Sequence, residues 1–353
     1  MNLNERAKAL TQRFVSAGQQ ERSLWRLGAL ALAVFVLFST LAPRTFFSGL
    51  NFQTIAFSAP EIGLLGLAMM VAMLAGGIDL SVVPVANLSA LTVALLFQQA
   101  GGRDADGVLL TVGIVLAGLL VGVVAGALNG TLVAVVGIAP ILATLGTMQL
   151  FDGLNIIVTG GEAIYGMSPQ FAWIGNGTIG GVPVSFVILV LAAIGVAVFV
   201  GRTPLGMSIR FVGGNATAAR FSGVPNNRVI FAAHVVSALL AGVSGIIIAS
   251  RAGSASADYG GSYLLLALVI AVLGGTNPNG GFATVTGIVL ATATLQMLSS
   301  GFNILRLSPF TYTMTQGLIL VVIMMIDARR NVPSIRLRRR SPARSRGAVG
   351  AAG

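Results

Sequence analysis

Cysteine is absent from the 353 residues, histidine occurs once, at His234, and lysine once, at Lys8. Without cysteine there is no disulfide framework and no thiol chemistry. One histidine falls short of the ligand count of an ordinary metal centre. Lys8 has no glycine-rich turn before it, so the phosphate-cradling GxxxxGK[ST] loop is excluded. Any ATP-driven step must therefore be powered by another polypeptide. Charge is scarce too: 9% of residues are charged and 55% are hydrophobic, with a mean hydropathy of +0.91. A soluble domain of this length needs far more polar surface, so the chain reads as a polytopic membrane protein of the all-α class.

The charge that is present is informative. The net charge of +11 resembles a nucleic-acid signal. Its distribution argues against nucleic acid as a partner. Seventeen of the 21 Lys and Arg residues fall in residues 1–26, 201–228 and 329–346, and Arg44, Arg103, Arg251 and Arg306 stand alone. Clusters of this kind mark cytoplasmic segments next to membrane spans. Apolar windows predict about ten transmembrane helices, at 24–42, 52–76, 80–100, 108–130, 137–159, 181–200, 228–249, 261–275, 281–300 and 310–327. An even count with both termini cytoplasmic places all three clusters on one side. The implied organisation is a basic N-terminal segment at 1–23, a membrane domain at 24–328 and a disordered basic tail at 329–353. The first segment reads either as a surface-lying amphipathic helix or as a solvated tail. The last is expected to touch anionic membrane lipid.

The central cluster is a polar island, Gly201 to Arg228, with four arginines and no acid. It contains a short helix with readable punctuation. Asn215 is a suitable N-cap after a flexible Gly213-Gly214, and Gly223 suits the left-handed position past the helix end. Pro225 prevents continuation. The alanines, with Phe221 and Arg220, present a surface either for a partner or for lipid headgroups.

Other features are local. Ser58-Ala59-Pro60-Glu61 fits a capping box at a helix start, the alternative being a longer helix kinked at Pro60. Glycines 118, 122, 126 and 130 form a small-xxx-small stripe for helix packing. Residues 71–84 echo 270–283 once one gap is allowed, either as related discontinuous helices or as two Gly-rich turns alike by chance. Acids in a membrane domain are functional candidates by default: Glu61, Asp79 and Asp152. Asp79 is expected to cap the following helix through the amide of Ser81 or Val82, and His234 to be a packed residue. Asn87, Asn129, Thr144, Thr147 and Gln149 are candidate weak hydrogen-bonding groups along a path for a neutral substrate.

Four ordered blocks, GGIDLS (76–81), Asn129-Gly130 with ATLGTM (143–148), GGNATAARFSG (213–223) and VLGGTNPNGGFATVTG (272–287), resemble the permease subunits of monosaccharide-type ABC importers, the ribose, xylose, arabinose and autoinducer-2 branch. The resemblance implies a non-catalytic inner-membrane subunit that needs no cofactor. It pairs with a second permease copy or paralogue, receives a sugar-like substrate from a periplasmic binding protein and is driven by separate ATPase subunits. The ATPase-coupling segment maps onto Gly213, Gly214, Asn215, Ala218, Ala219, Arg220, Phe221 and Gly223. On that mapping Arg220→Glu or Ala219→Trp is expected to uncouple transport. Path candidates are Asp79, Asn87, Asn129, Thr144, Thr147 and Asp152. Two positions depart from the pattern: Pro84, where relatives often continue with a Gly-Ser-type sequence, and Asp152, where many carry Arg or a small residue. The competing class is a proton-coupled secondary transporter built on the few membrane acids and His234.

Overall fold

The computed structural model describes residues 24–105 and 107–331. The N-terminal basic segment and residues 332–353 of the tail lie outside the described residues. The chain runs through α1 (Leu24–Leu41), the single turn α2 (Pro43–Phe46), α3 (Gly49–Leu74), α4 (Val82–Gln99), α5 (Val108–Thr131) and α6 (Pro140–Thr159). It continues through α7 (Pro169–Asn176), α8 (Val184–Arg202), α9 (Pro204–Gly214), α10 (Ala216–Phe221), α11 (Asn226–Ala252), α12 (Tyr263–Leu273), α13 (Val285–Ile304) and α14 (Pro309–Asn331). Eight helices among the described residues are long and apolar enough to cross a membrane. Helices suit the hydrocarbon core because each satisfies its own backbone polar groups.

The expected span at 261–275 is only the 11-residue α12. At 1.5 Å per residue it rises about 16 Å, half of a hydrocarbon core of about 30 Å. Irregular backbone from Gly253 to Ser262 precedes it, apart from a two-residue strand, Ser254–Ala255, paired with Ile164–Tyr165. At the far end α14 extends through Asn331, so residues 329–331 of the expected tail are helical.

Helices α3 and α11 form the centre. Of their apolar windows 78% and 61% are buried, against 28% for α5 and α6. Apolar burial between helices is not a driving force inside lipid, so close packing and hydrogen bonds hold the bundle. Ser237 and Ser244, seven residues apart on one face of α11, donate to the α3 carbonyls of Ala68 (2.9 Å) and Glu61 (2.6 Å). On α5 the glycine stripe faces inward against Ser89, Ala238 and Phe231. Leu116, Leu120 and Val124, offset by two residues, lie exposed on the opposite face. The stripe packs helices, as its spacing predicts.

The capping box at Ser58–Glu61 does not form. Helix α3 starts earlier, capped by the Ser48 side chain on the Asn51 amide, and runs through Pro60. The backbone disturbed by proline is met from α11: Arg251 donates to the Phe57 carbonyl (3.2 Å), the Ser58 hydroxyl (3.1 Å) and the Glu61 carboxylate (2.8 Å). The Tyr263 hydroxyl donates to the other Glu61 oxygen at 3.1 Å. Glu61 is thus the anion of a three-helix clasp, not a cap.

Candidate functional site

The polar island folds into two helices. The first, α9, was not foreseen: Thr203 caps it through the Gly206 amide, Pro204 occupies its first turn, and Ile209 and Val212 are buried. Gly213 and Gly214 are its last turn, held against neighbouring backbone, so they are not a flexible hinge. The punctuation of α10 is as read from the sequence. The Asn215 side chain accepts from the Ala218 amide at 2.9 Å, and Gly223 adopts φ +81. Asn226 donates to the Ala216 carbonyl at 2.8 Å, which ties the start of α10 to the start of α11. Within α10 Ala219 is fully buried, while Phe221 is 89% exposed and Arg220 is exposed. Ala219→Trp would therefore break the segment itself, whereas Arg220 and Phe221 are among the residues it leaves exposed.

Between α3 and α4 the GGIDLS turn is a buried polar knot. Asp79 accepts from the Ser81 amide (3.0 Å) and hydroxyl (2.6 Å), one of the two amides expected, but the bond closes a turn ahead of α4, whose N-cap Ser81 carries no side-chain cap. Its second oxygen lies 3.3 Å from His234 Nδ1 on α11. Asn129 of α5 donates to the Ser81 hydroxyl at 2.6 Å. Thr144 of α6 donates to the Ile78 carbonyl and accepts from the Leu80 amide, both at 3.1 Å. Thr147 donates back to the Thr144 carbonyl. Four path candidates, Asp79, Asn129, Thr144 and Thr147, are therefore buried; Asp79, Asn129 and Thr144 tie the turn to α11, α5 and α6, while the Thr147 bond stays within α6. Gln149 is exposed on α6.

Asn87 and Asp152 are the path candidates that the fold brings together. They line a cavity of about 300 Å³ with Met148, Ile156, Ala257 and Asp258. That is the small end of the range for small-molecule pockets, roughly 300–1,000 Å³. Asn87 donates to the Ala257 carbonyl at 2.7 Å, pinning the irregular stretch before α12 against α4. Backbone without regular structure is tolerated at membrane depth where it lines a cavity. Asp258 and Asp152 line the same space, and no basic side chain does. Asp258 was missed because it falls between expected spans. Its signal was available, since it is the only acid between Arg228 and Asp327. A larger groove of about 590 Å³ beside Leu96, Leu109 and Ile114 is almost wholly apolar and suits a lipid chain, not a polar substrate. Among the described residues no group of three or more His, Asp or Glu side chains is placed to hold a metal.

Comparison with known proteins gives a consistent picture. Residues 51–326 match the family described as branched-chain amino acid transport system / permease component. The ribose import permease protein RbsC of Bacillus subtilis is 32% identical over 304 residues, covering 86% of this chain and 92% of that protein. The autoinducer 2 import system permease protein LsrD of Salmonella typhimurium is 27% identical over 315 residues, 86% of this chain and 91% of its own. The D-allose transport system permease protein AlsC of Escherichia coli is 28% identical over 297 residues, 84% and 89% respectively. No solved structure matches. With a membrane bundle, no ATP-binding loop and a match across most of its length, the chain belongs to this permease family, as a non-catalytic, multi-pass subunit of a monosaccharide-type ABC importer of the bacterial inner membrane.

Proposed function

We propose that the chain conducts a small polyhydroxylated molecule, a sugar or sugar-like compound, inward through the cavity at Asn87, Asp152 and Asp258. We propose further that α9 and α10 face the cytoplasm and receive the ATPase subunit through Arg220 and Phe221. The observation that carries the substrate class is the cavity's chemistry. Two carboxylates and an amide accept and donate hydrogen bonds to hydroxyls, whereas two carboxylates without a cation repel the carboxylate of an amino acid. The related permeases named for ribose, D-allose and autoinducer 2 support the same class. A periplasmic binding protein supplies affinity, so the cavity needs weak contacts that let the substrate leave. The working unit pairs two permease subunits, this chain with a second copy or a paralogue.

The test is uptake in proteoliposomes that hold the permease with its ATPase and binding-protein partners. With ATP supplied and the proton gradient collapsed, uptake is expected to continue. Uptake that stops would instead favour proton coupling. In the same assay Asp258→Ala is expected to slow uptake about tenfold, the scale of one or two lost hydrogen bonds to substrate, while ATP hydrolysis persists. Unchanged uptake by Asp258→Ala would place the path elsewhere.

A further inference from the structure

Resting on the docking reading above, we propose that Gly213, Gly280 and Gly281 form a rigid backbone junction that carries movement of α9 and α10 to the walls of the Asn87–Asp152–Asp258 cavity. Three chain segments meet there peptide against peptide. The first is the end of α9, the second the turn after α3, and the third the loop between α12 and α13. The Gly281 amide donates to the Leu74 carbonyl at 3.0 Å. A Cβ on Gly213 would lie 2.0 Å from that same carbonyl oxygen. A Cβ on Gly280 would lie 2.6 Å from the Gly213 oxygen and 2.7 Å from Gly76 Cα, and one on Gly281 would lie 2.6 Å from Gly214 Cα. Gly280 and Gly281 also hold φ of +92 and +79, a region that side-chain-bearing residues rarely enter.

The loop is stiff in itself. Asn277 donates from its side chain to the Gly280 carbonyl (3.0 Å) and from its amide to the Phe282 carbonyl (2.9 Å), and its side-chain oxygen accepts from the Asn279 amide (3.1 Å). At a peptide-to-peptide contact no rotamer can change to absorb a displacement, so a shift on one side is felt on the other.

What the junction touches makes the case. The turn after α3 leads into α4, which carries Asn87. Gly77 in that turn abuts Pro140, the first residue of α6, with an added Cβ only 2.4 Å from the proline ring. Helix α6 carries Met148 and Asp152. The third segment follows α12, whose preceding irregular stretch carries Asp258. Every wall of the cavity is therefore continuous with the junction or packed directly on it. Energetic coupling through the junction is measured as a separation of two activities.

The measurement uses the full complex reconstituted with its ATPase and binding-protein partners. Gly281→Ala is expected to leave the ATPase bound and basal hydrolysis within about twofold of wild type, while uptake and stimulation by loaded binding protein fall about tenfold, within the 5–150-fold range of ordinary coupling free energies. Asn277→Ala removes loop bonds without introducing a clash and is expected to change the same two quantities by about threefold on that scale. It decides the matter should Gly281→Ala not assemble. Gly146→Ala and Gly153→Ala, on α6 with open space around them, are expected to behave as wild type. Wild-type stimulation and uptake in Asn277→Ala overturns the proposal. Loss of the bound ATPase in the loop variants overturns it as well, since the loop would then belong to the docking surface. Failure of the docking reading has a different signature, because Phe221→Ala would then leave ATPase binding unchanged.

Discussion

Arg251→Ala is expected to destabilise the permease by about 3 kcal/mol, the low end of the range for removing one partner of a buried ion pair. The low end applies because Arg251 keeps 30% of its side chain exposed, whereas Glu61 keeps 11%. The substitution removes the cation from Glu61 and leaves that carboxylate with the Tyr263 hydroxyl alone. It also takes donors from the Phe57 carbonyl and the Ser58 hydroxyl beside Pro60, where α3 has lost a backbone donor. Thermal unfolding of the purified protein in detergent reads the effect, expected as a fall in midpoint of roughly 5 °C or more. The double variant Glu61→Leu with Arg251→Met is expected to recover much of the loss, because paired charges removed together leave no orphan. A midpoint unchanged in Arg251→Ala would mean that solvent or lipid headgroups already satisfy Glu61.

Phe221→Ala is expected to weaken ATPase binding about thirtyfold, the effect of losing a central aromatic anchor worth 2 kcal/mol or more. The reasoning starts from exposure. A phenylalanine that is 89% exposed on a six-residue helix leaves most of its ring uncovered by the described residues. Such a ring, beside a cation, is the composition of an interface core. Arg220→Glu is expected to act in the same direction, with an added dependence on salt, because charge steering is screened over about 8–10 Å at ordinary ionic strength. Copurification of the ATPase and uptake in proteoliposomes read both effects, and the membrane bundle should melt as wild type. Ala219→Trp would lower that melting point instead, since Ala219 has no exposed surface. Equal ATPase binding by wild type and Phe221→Ala would remove α10 from the interface.

The two helix ends at residues 71–84 and 270–283 illustrate how far local pattern reaches. Both close in the same hydrogen-bonded turn. The Gly76 and Gly77 amides donate to Met73 and Ala72, and the Gly275 and Thr276 amides donate to Val272 and Ala271. Glycine enters the left-handed conformation without strain, so this similarity was visible as a Gly-rich turn after an apolar run. Their meeting in space, with Gly280 against Gly76, was not. Likewise Asn215 as a cap, Gly223 past the helix end and the inward glycine stripe of α5 follow from rules that act within a few residues. They were legible for that reason.

The long-range partners were not. Asp79 and His234 stand 155 residues apart and Glu61 and Arg251 190 apart, and nothing in either neighbourhood names the other. Arg251 appeared only as one of four scattered arginines, and Glu61 as a membrane acid and a first-turn residue beside a proline, with no partner named for either. Asn129 and Thr144 were read as path groups, and the fold instead bonds them to the turn before α4. A helical period shows which residues share a face, and what lies opposite that face depends on how the helices cross.

Membrane residence, the lack of an ATP-binding loop and the short helix from Asn215 to Gly223 were therefore legible in composition, motif and local capping. These depend on residues near in sequence or on totals over the chain. The choice of Asn87, Asp152 and Asp258 as cavity-lining groups, the three-helix clasp at Glu61 and the glycine junction arose from packing. Each depends on contacts between segments far apart in the chain, whose geometry exists only once the bundle has closed.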